Sequence, residues 1–538
     1  MAQDSAPDPQ TGAHYDAIVV GGGFAGLYSL HKLRGLGLKV RVYEAGDGVG
    51  GTWYWNRYPG ARVDIQSLEY SYQFDEDLQQ QWAWSERYAP QSELLAYANH
   101  VADRFDLWRD IQLNTRVASA HFDDGANAWR VETDRGDRVT ADVVVMASGC
   151  LSSANIPDYP GRDSFTGRTF HTGKWPKAPV DFTGRQVGVI GTGSSAIQAI
   201  PLIAQQAAHL TVFQRTPNYS APAHNGPIPD DVVSSIKGRY AEFRAANNAT
   251  PLGADWGYRT DTAMEHTPEE RNAEYESRWA RGGLSFYGSF ADILTDPEAN
   301  NTAAEFVRGK IRQIVKDPVV AEMLCPTTHL GCKRMCVDTG YYATYNRPNV
   351  TLVDIKAAPI AEITPAGVRT AKADYALDDL VFATGFDAMT GALTRMDIRG
   401  AGGRLLKDAW QEGPKNYLGL CVAGFPNLFI ICGPGSPSVL SNMLPSIEHH
   451  VNWIGQTVDN MRRRGVKRIE AKPEAQEAWV AHVNETAAPT ILPTCNSWYL
   501  GANIPGKPRV FMPYLGFAPY VAKCEEVVAN GYEGFELA

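Results

Sequence analysis

Two stretches of the chain pass from a short apolar run, through a glycine turn, into apolar residues at helical spacing. The first is Tyr15-Asp-Ala-Ile-Val-Val-Gly21-Gly-Gly23-Phe24-Ala-Gly26. The run predicts a buried strand that enters G-x-G-x-x-G directly. Leu27, Leu30 and Leu33 then predict a helix that Gly37 can end. A second strand is expected from Lys39 to Tyr43, stopping at Glu44. The second stretch is Gln186-Val-Gly-Val-Ile-Gly191-Thr192-Gly193-Ser194-Ser195-Ala196. Ile197, Ile200 and Ile203 continue it as a helix, and Leu210 to Arg215 as a strand. Each is a βαβ unit in the context the motif requires, and Ala is tolerated in the third glycine position. Between about 225 and 335 the pattern changes to charged, helix-periodic runs such as Phe306, Val307, Ile311, Ile314 and Val315. These predict a helical insertion. Near the end, Pro445 opens an amphipathic helix with Ile447, Val451, Ile454 and Val458. The expected fold class is α/β, with two Rossmann-like dinucleotide-binding domains and a helical insertion.

The residues that close each unit suggest what it binds. Glycines let the backbone approach a pyrophosphate at a helix N-terminus. Glu44 lies 18 residues after Gly26, where a carboxylate can accept from ribose hydroxyls, as for FAD or NAD. Arg215 lies 19 residues after Ala196, with Thr216 beside it. A cation there suits the 2′-phosphate of NADP, which a carboxylate would repel. A flavin and NADPH on one chain imply hydride transfer to the flavin.

Composition narrows the classes without adding chemistry. The 538 residues are 44% hydrophobic and 20% charged, an ordinary globular balance. The net charge of −10 argues against nucleic-acid and anionic-membrane partners. No stretch reaches the roughly 18 uninterrupted apolar residues of a membrane span. The first 16 residues, MAQDSAPDPQTGAHYD, lack an apolar signal core and read as a short disordered lead-in to a cytoplasmic protein. Eight cysteines are too few for a disulfide scaffold. Cys332 and Cys336, the closest two, read as unrelated thiols in a reducing compartment. His449 and His450 read as a solvated or packed pair rather than a metal site.

Between the two units lies Phe165-Thr-Gly167-Arg-Thr-Phe-His171-Thr-Gly-Lys-Trp175-Pro176, of the form F-x-G-x-x-x-H-x-x-x-W-P. It resembles the signature of the Baeyer–Villiger monooxygenases, class B flavin monooxygenases. Family-like segments continue along the chain: Gly50-Gly51-Thr52-Trp53-Tyr54-Trp55, Lys333-Arg334 before Tyr341-Tyr342, Ala383-Thr-Gly385-Phe-Asp387, and Ser497-Trp498 through Asn503-Ile-Pro-Gly506. The resemblance implies an enzyme that converts ketones to esters or lactones with NADPH and O2, through a flavin C4a-peroxide. Aryl, steroid and cyclic or aliphatic ketones all fit. It implies an FAD domain of residues 1–150 and 386–538, and an NADP domain of 151–385 that includes the 225–335 insertion.

The resemblance also implies residue roles. Arg334 is the catalytic cation, a guanidinium that stays protonated and stabilises negative oxygen. Asp64 orients it. Gly21, Gly23, Phe24, Gly26, Glu44, Gly51, Thr52, Trp53, Tyr54, Trp55, Asp64, Tyr70, Val117 and Met443 are the expected FAD contacts. Gly191, Thr192, Gly193, Ser194, Ser195, Gln198, Arg215, Thr216, Lys333, Arg334 and Trp498 are the expected NADP contacts. His171 is expected to be structural, at the domain junction. Ala343, Pro348 and Phe517 depart from the family pattern and are expected to alter loop shape near the substrate. No metal is implied, and the expected assembly is a monomer or weak homo-oligomer. The alternative is a flavin-containing or N-hydroxylating monooxygenase acting on amines or sulfides, against which Trp175 and Arg334 argue.

Overall fold

A computed structural model describes residues 9–538. The first apolar run forms the strand Thr11–Val20, whose Ala17, Ile18 and Val19 are fully buried. It pairs in parallel with Val40–Tyr43 on one side and Arg138–Met146 on the other. Burial on both faces explains an unbroken apolar run in place of alternation. The strand begins at Thr11, inside the stretch read as a disordered lead-in. Its polar residues belong to the ladder because Thr11 and His14 register against Arg138 and Thr140. Residues 1–8 of that lead-in lie outside the described residues.

Eight strands make this first sheet. Ile111–Gln112, Val117–Asp123 and Ala128–Thr133 join from the early chain. Asp397–Arg399 and Leu428–Ile430 join from the late chain. The late strand Leu428–Ile430 takes Val144, Val145 and Met146 as partners, beyond the point where Ala128–Thr133 stops pairing.

The second sheet has five parallel strands, in the order Val350–Asp354, His209–Gln214, Gln186–Ile190, Asp379–Phe382 and Arg168–His171. Both sheets follow one rule: the strand after the glycine-turn helix ends one residue before the charged group, at Tyr43 before Glu44 and at Gln214 before Arg215. Parallel pairing therefore brings each charge to the same sheet edge as its glycine turn.

Between the paired strands Ser220–Pro222 and Cys336–Asp338 lie the helices Asp230–Lys237, Tyr240–Asn248, Pro268–Arg281, Pro297–Ile314 and Pro318–Leu324. Their starts are written locally. Thr267 and Glu270 form a capping box, and the Asp296 and Asp317 side chains accept from the first backbone N–H groups of their helices. The late amphipathic run is the helix Met443–Arg464, capped by Asn442 and ended by Gly465 in the left-handed region. Among the described residues no helix is long and apolar enough to cross a membrane.

A second reading is corrected. Cys332 is disulfide-bonded to Cys495, 163 residues away, while Cys336 is a buried free thiol. The two loops meet only in the folded chain, at a Cα separation of 6.1 Å, so no local spacing announces the pair.

Candidate active site

At the end of strand Thr11–Val20, Gly21 has φ +110°, and a Cβ there would stand 2.5 Å from the Ala147 carbonyl oxygen. A Cβ on Gly26 would stand 1.8 Å from the Gly21 carbonyl oxygen. The turn from strand to helix closes only because both side chains are absent. A second glycine turn packs onto it. The Gly50 N–H donates to Gly22 O at 2.9 Å, and a Cβ on Gly51 would come within 2.8 Å of Gly23 Cα. The helix Phe24–Gly35 starts at Gly23 with no side-chain cap and no acid in its first turn, and the helix Ser194–Gln206 starts at Gly193 in the same way. Uncapped N–H groups at both starts fit a pyrophosphate.

Glu44 is 5% exposed. One carboxylate oxygen accepts from Gly22 N–H and the other from Gly46 N–H, both at 2.6 Å. Burial pushes this carboxyl up, and the two backbone bonds oppose the rise. Glu44 thus braces the glycine turn while each oxygen retains accepting capacity. Around the turn, Phe24 meets Tyr72 edge-on, and Trp53 donates its indole N–H to Tyr70 Oη at 3.3 Å. The Tyr54 ring lies against Gly46 and Gly48. Thr52 and Trp55 face outward on the short helix Thr52–Trp55. Val117 is buried at the start of its strand, and Met443 opens the helix capped by Asn442.

At the second turn Gly191 has φ +115°, and its Cβ would stand 2.4 Å from the Ala383 carbonyl oxygen. Thr192 Oγ1 donates to Thr216 O at 2.9 Å, tying the turn to the residue beside Arg215. Arg215 is exposed. Lys333 is lowered first by burial and then by the positive charge of Arg215, and no carboxylate is among the groups acting on it. Two adjacent cations of this kind suit a phosphate. Gln198 lies on the helix that follows the second glycine turn. It accepts from Tyr58 Oη at 2.8 Å and donates to Arg62 O at 3.1 Å, so its amide joins the second βαβ unit to the 58–62 loop.

Arg334 gathers three distant segments. Its Nε and Nη2 donate to the two carboxylate oxygens of Asp64 at 2.8 and 3.1 Å, and its Nη1 donates to Val439 O at 3.1 Å. Burial acts to lower its pKa, but the charge and hydrogen bonds of Asp64 outweigh it and the net shift is upward. Its loop is fixed from behind. Asn300, fully buried, donates to Ile293 O and Leu330 O and accepts from Leu330 N–H. Tyr287 Oη accepts from Met335 N–H at 2.8 Å. Neither was marked by the sequence motifs. The one available signal was Asn300 itself, a polar residue on the helix face that carries Ala303, Ala304 and Val307.

The signature segment lies where the two late and early motifs meet. His171 Nδ1 accepts from Gly173 N–H at 2.9 Å, and the Phe386 ring closes over Gly173. Burial pushes His171 down to about 4, so the imidazole is neutral at pH 7. Among the described residues, its buried Nε2 has no hydrogen-bond partner. Trp175 stacks on Phe170 with centroids 5.2 Å apart. Trp498 is half-buried against Tyr499, at a centroid distance of 4.4 Å. Ala343 and Pro348 are exposed, and Phe517 lines a cavity of about 570 Å³ with Tyr28, Phe74 and Glu448 rather than with Arg334 or Asp64. His450 is packed, accepting from Cys432 N–H and bonding Tyr520 Oη.

Comparison with known proteins shows the family. A family model described as pyridine nucleotide-disulphide oxidoreductase matches residues 18–242. A Baeyer-Villiger monooxygenase of Pseudooceanicola batsensis is 45% identical over 97% of this chain and 96% of its own length. Phenazine N-monooxygenase PhzNO1 of Lysobacter antibioticus is also 45% identical, over 97% of each chain. The structure of oxidised steroid monooxygenase bound to NADP superposes with a TM-score of 0.93 at 51% identity, covering 98% of this chain and 99% of that one. With such identity along nearly the whole length, and with two dinucleotide cradles around a carboxylate-held arginine, this chain belongs to the Baeyer–Villiger monooxygenases.

Proposed function

We propose that this enzyme oxidises ketones to esters or lactones, inserting one atom of O2 with NADPH as reductant. FAD, when bound, supplies the activated oxygen and NADPH the hydride that reduces it. The FAD domain is 1–150 with 386–538, and the NADP domain is 151–385. Gly21, Gly23 and Gly26 hold the FAD pyrophosphate and Glu44 its ribose. Arg215 and Lys333 hold the 2′-phosphate of NADPH, and Trp498 its ribose.

The observation that carries the reading is the set of bonds made by Arg334. A guanidinium has five N–H donors, and Asp64 and Val439 O engage three of them. The other two are free to meet the negative oxygen that develops as the ketone carbonyl is attacked. Asp64 holds the guanidinium plane while this happens.

The test is anaerobic reduction with NADPH, followed by O2 with and without a ketone panel spanning aryl, steroid and cyclic or aliphatic substrates. Ester or lactone product carrying one labelled oxygen from O2 is expected. NADPH consumption with no such product from any ketone would overturn the reading. A second reading, oxygenation of a heteroaromatic or amine nitrogen, is favoured by the phenazine N-monooxygenase relative. Parallel product analysis with amines decides between them. A cytoplasmic location, where NADPH is regenerated, and a monomer or weak homo-oligomer complete the proposal.

A further inference from the structure

The Cys332–Cys495 disulfide joins the loop that carries Lys333 and Arg334 to the segment that carries Trp498. Cys332 directly precedes Lys333 and Arg334, and Cys495 lies three residues before Trp498. The two sides differ in how they are held. The 329–336 loop is fixed independently, by Asn300 on Leu330 and Tyr287 on Met335. The 492–503 segment consists of two short 3-10 turns, Leu492–Thr494 and Trp498–Leu500, and beyond Trp498 it is anchored elsewhere, by Met512 N–H on Tyr499 O and by Asn503 on Phe386 O. Its Ser497 Oγ and Asn503 Oδ1 are buried without hydrogen-bond partners. Near Cys495, among the described residues, the other hydrogen bond to the 329–336 loop joins His329 and Thr494 at 3.0 Å, exposed to solvent.

We propose that this disulfide is a redox latch. Oxidised, it holds the Trp498 segment against the Lys333 loop and retains NADP; reduced, it frees that segment and weakens NADP binding. The proposal rests on the NADP assignment made above.

Access favours attack from one side. Cys332 is fully buried, whereas Cys495 is half-buried between the exposed Thr494 and Asn496. A thiolate of a small dithiol attacks Cys495 Sγ, the S–S bond breaks, and Cys332 leaves as a thiolate that takes a proton. The second thiol of the dithiol then displaces Cys495, which leaves as a thiolate and is protonated. The dithiol loses two electrons and two protons, and the cysteines gain them. An oxidised thiol such as glutathione disulfide reverses the exchange.

The test uses the FAD-loaded full chain. Alkylation after unfolding in denaturant, followed by non-reducing peptide mass spectrometry, is expected to show a Cys332–Cys495 linked peptide and six modified cysteines, rising to eight after dithiothreitol. Titration calorimetry is expected to show NADP+ binding weakened about fivefold or more by dithiothreitol, the scale of losing the order of one or two side chains. Glutathione disulfide should restore it. Cys495→Ser should bind weakly from the start and ignore dithiothreitol. Eight modified cysteines in the untreated protein, or equal NADP+ affinity in all forms, would overturn the latch. Absence of NADP+ binding in every form would instead overturn the NADP assignment on which it rests.

Discussion

The role proposed for Arg334 rests on what it leaves unbonded. With Asp64 across two of its nitrogens and Val439 O on a third, its position is fixed and two donors remain for substrate oxygen. Arg334→Ala is therefore expected to lower ester formation by about 10²–10³-fold, the scale of losing a preorganised donor. Flavin reduction by NADPH should stay within a few-fold, as stopped-flow absorbance will report. Arg215 and Lys333 are proposed to meet a different group, the 2′-phosphate of NADPH. Arg215→Ala is expected to raise KM for NADPH by about tenfold or more, through loss of a charge-assisted contact to phosphate. KM for NADH should stay nearly unchanged. Arg215 was picked out by its offset in the second βαβ unit, whereas Arg334, Lys333 and Asp64 were picked out by resemblance to the family. Asn300 and Tyr287 were not, since what they hold is backbone at Leu330 and Met335, and a backbone partner leaves no mark in the sequence.

At the scale of elements, the glycine turns are the least tolerant pieces. The Gly26 Cα lies so close to the Gly21 carbonyl that an added Cβ would overlap it at 1.8 Å. Gly26→Ala is expected to destabilise by about 1–3 kcal/mol or more and to yield protein poor in flavin. The ratio of flavin to protein absorbance and the Tm check this together. Strand, turn and helix were readable here because their constraints are local. The helix starts of the insertion were equally local, through Thr267, Asp296 and Asp317. The strands Asp397–Arg399 and Leu428–Ile430 were not readable. Three residues carry too little pattern, and they are strands only because Val117–Asp123 and Arg138–Met146 offer them an edge.

The whole molecule shows its cost in buried carboxyls. Glu448 is 6% exposed, accepts from Gln73 and Phe74 N–H, and is pushed up by burial to about 7, with those bonds and the Arg244 charge opposing. Its proton is held more tightly in the folded chain than in the unfolded one, where the ordinary value is 4.5. The stability this contributes is full below the unfolded value and is lost as pH rises from there through about 7. Glu448→Gln is expected to flatten the fall of Tm between about pH 5 and pH 7. A Tm profile unchanged by the substitution would contradict this linkage.

By itself the sequence determined the two βαβ units, the sign of the charge at each, and membership of the family. Those depend on backbone conformations and offsets within some thirty residues. Tertiary structure decided the rest. It set Arg334 against Asp64, 270 positions away, and against Val439. It turned the Gln198 amide toward Tyr58 and Arg62, and it brought Cys332 to Cys495. Each is a contact between side chains from separate segments, and such contacts follow from how the sheets and the insertion pack, which no local pattern encodes.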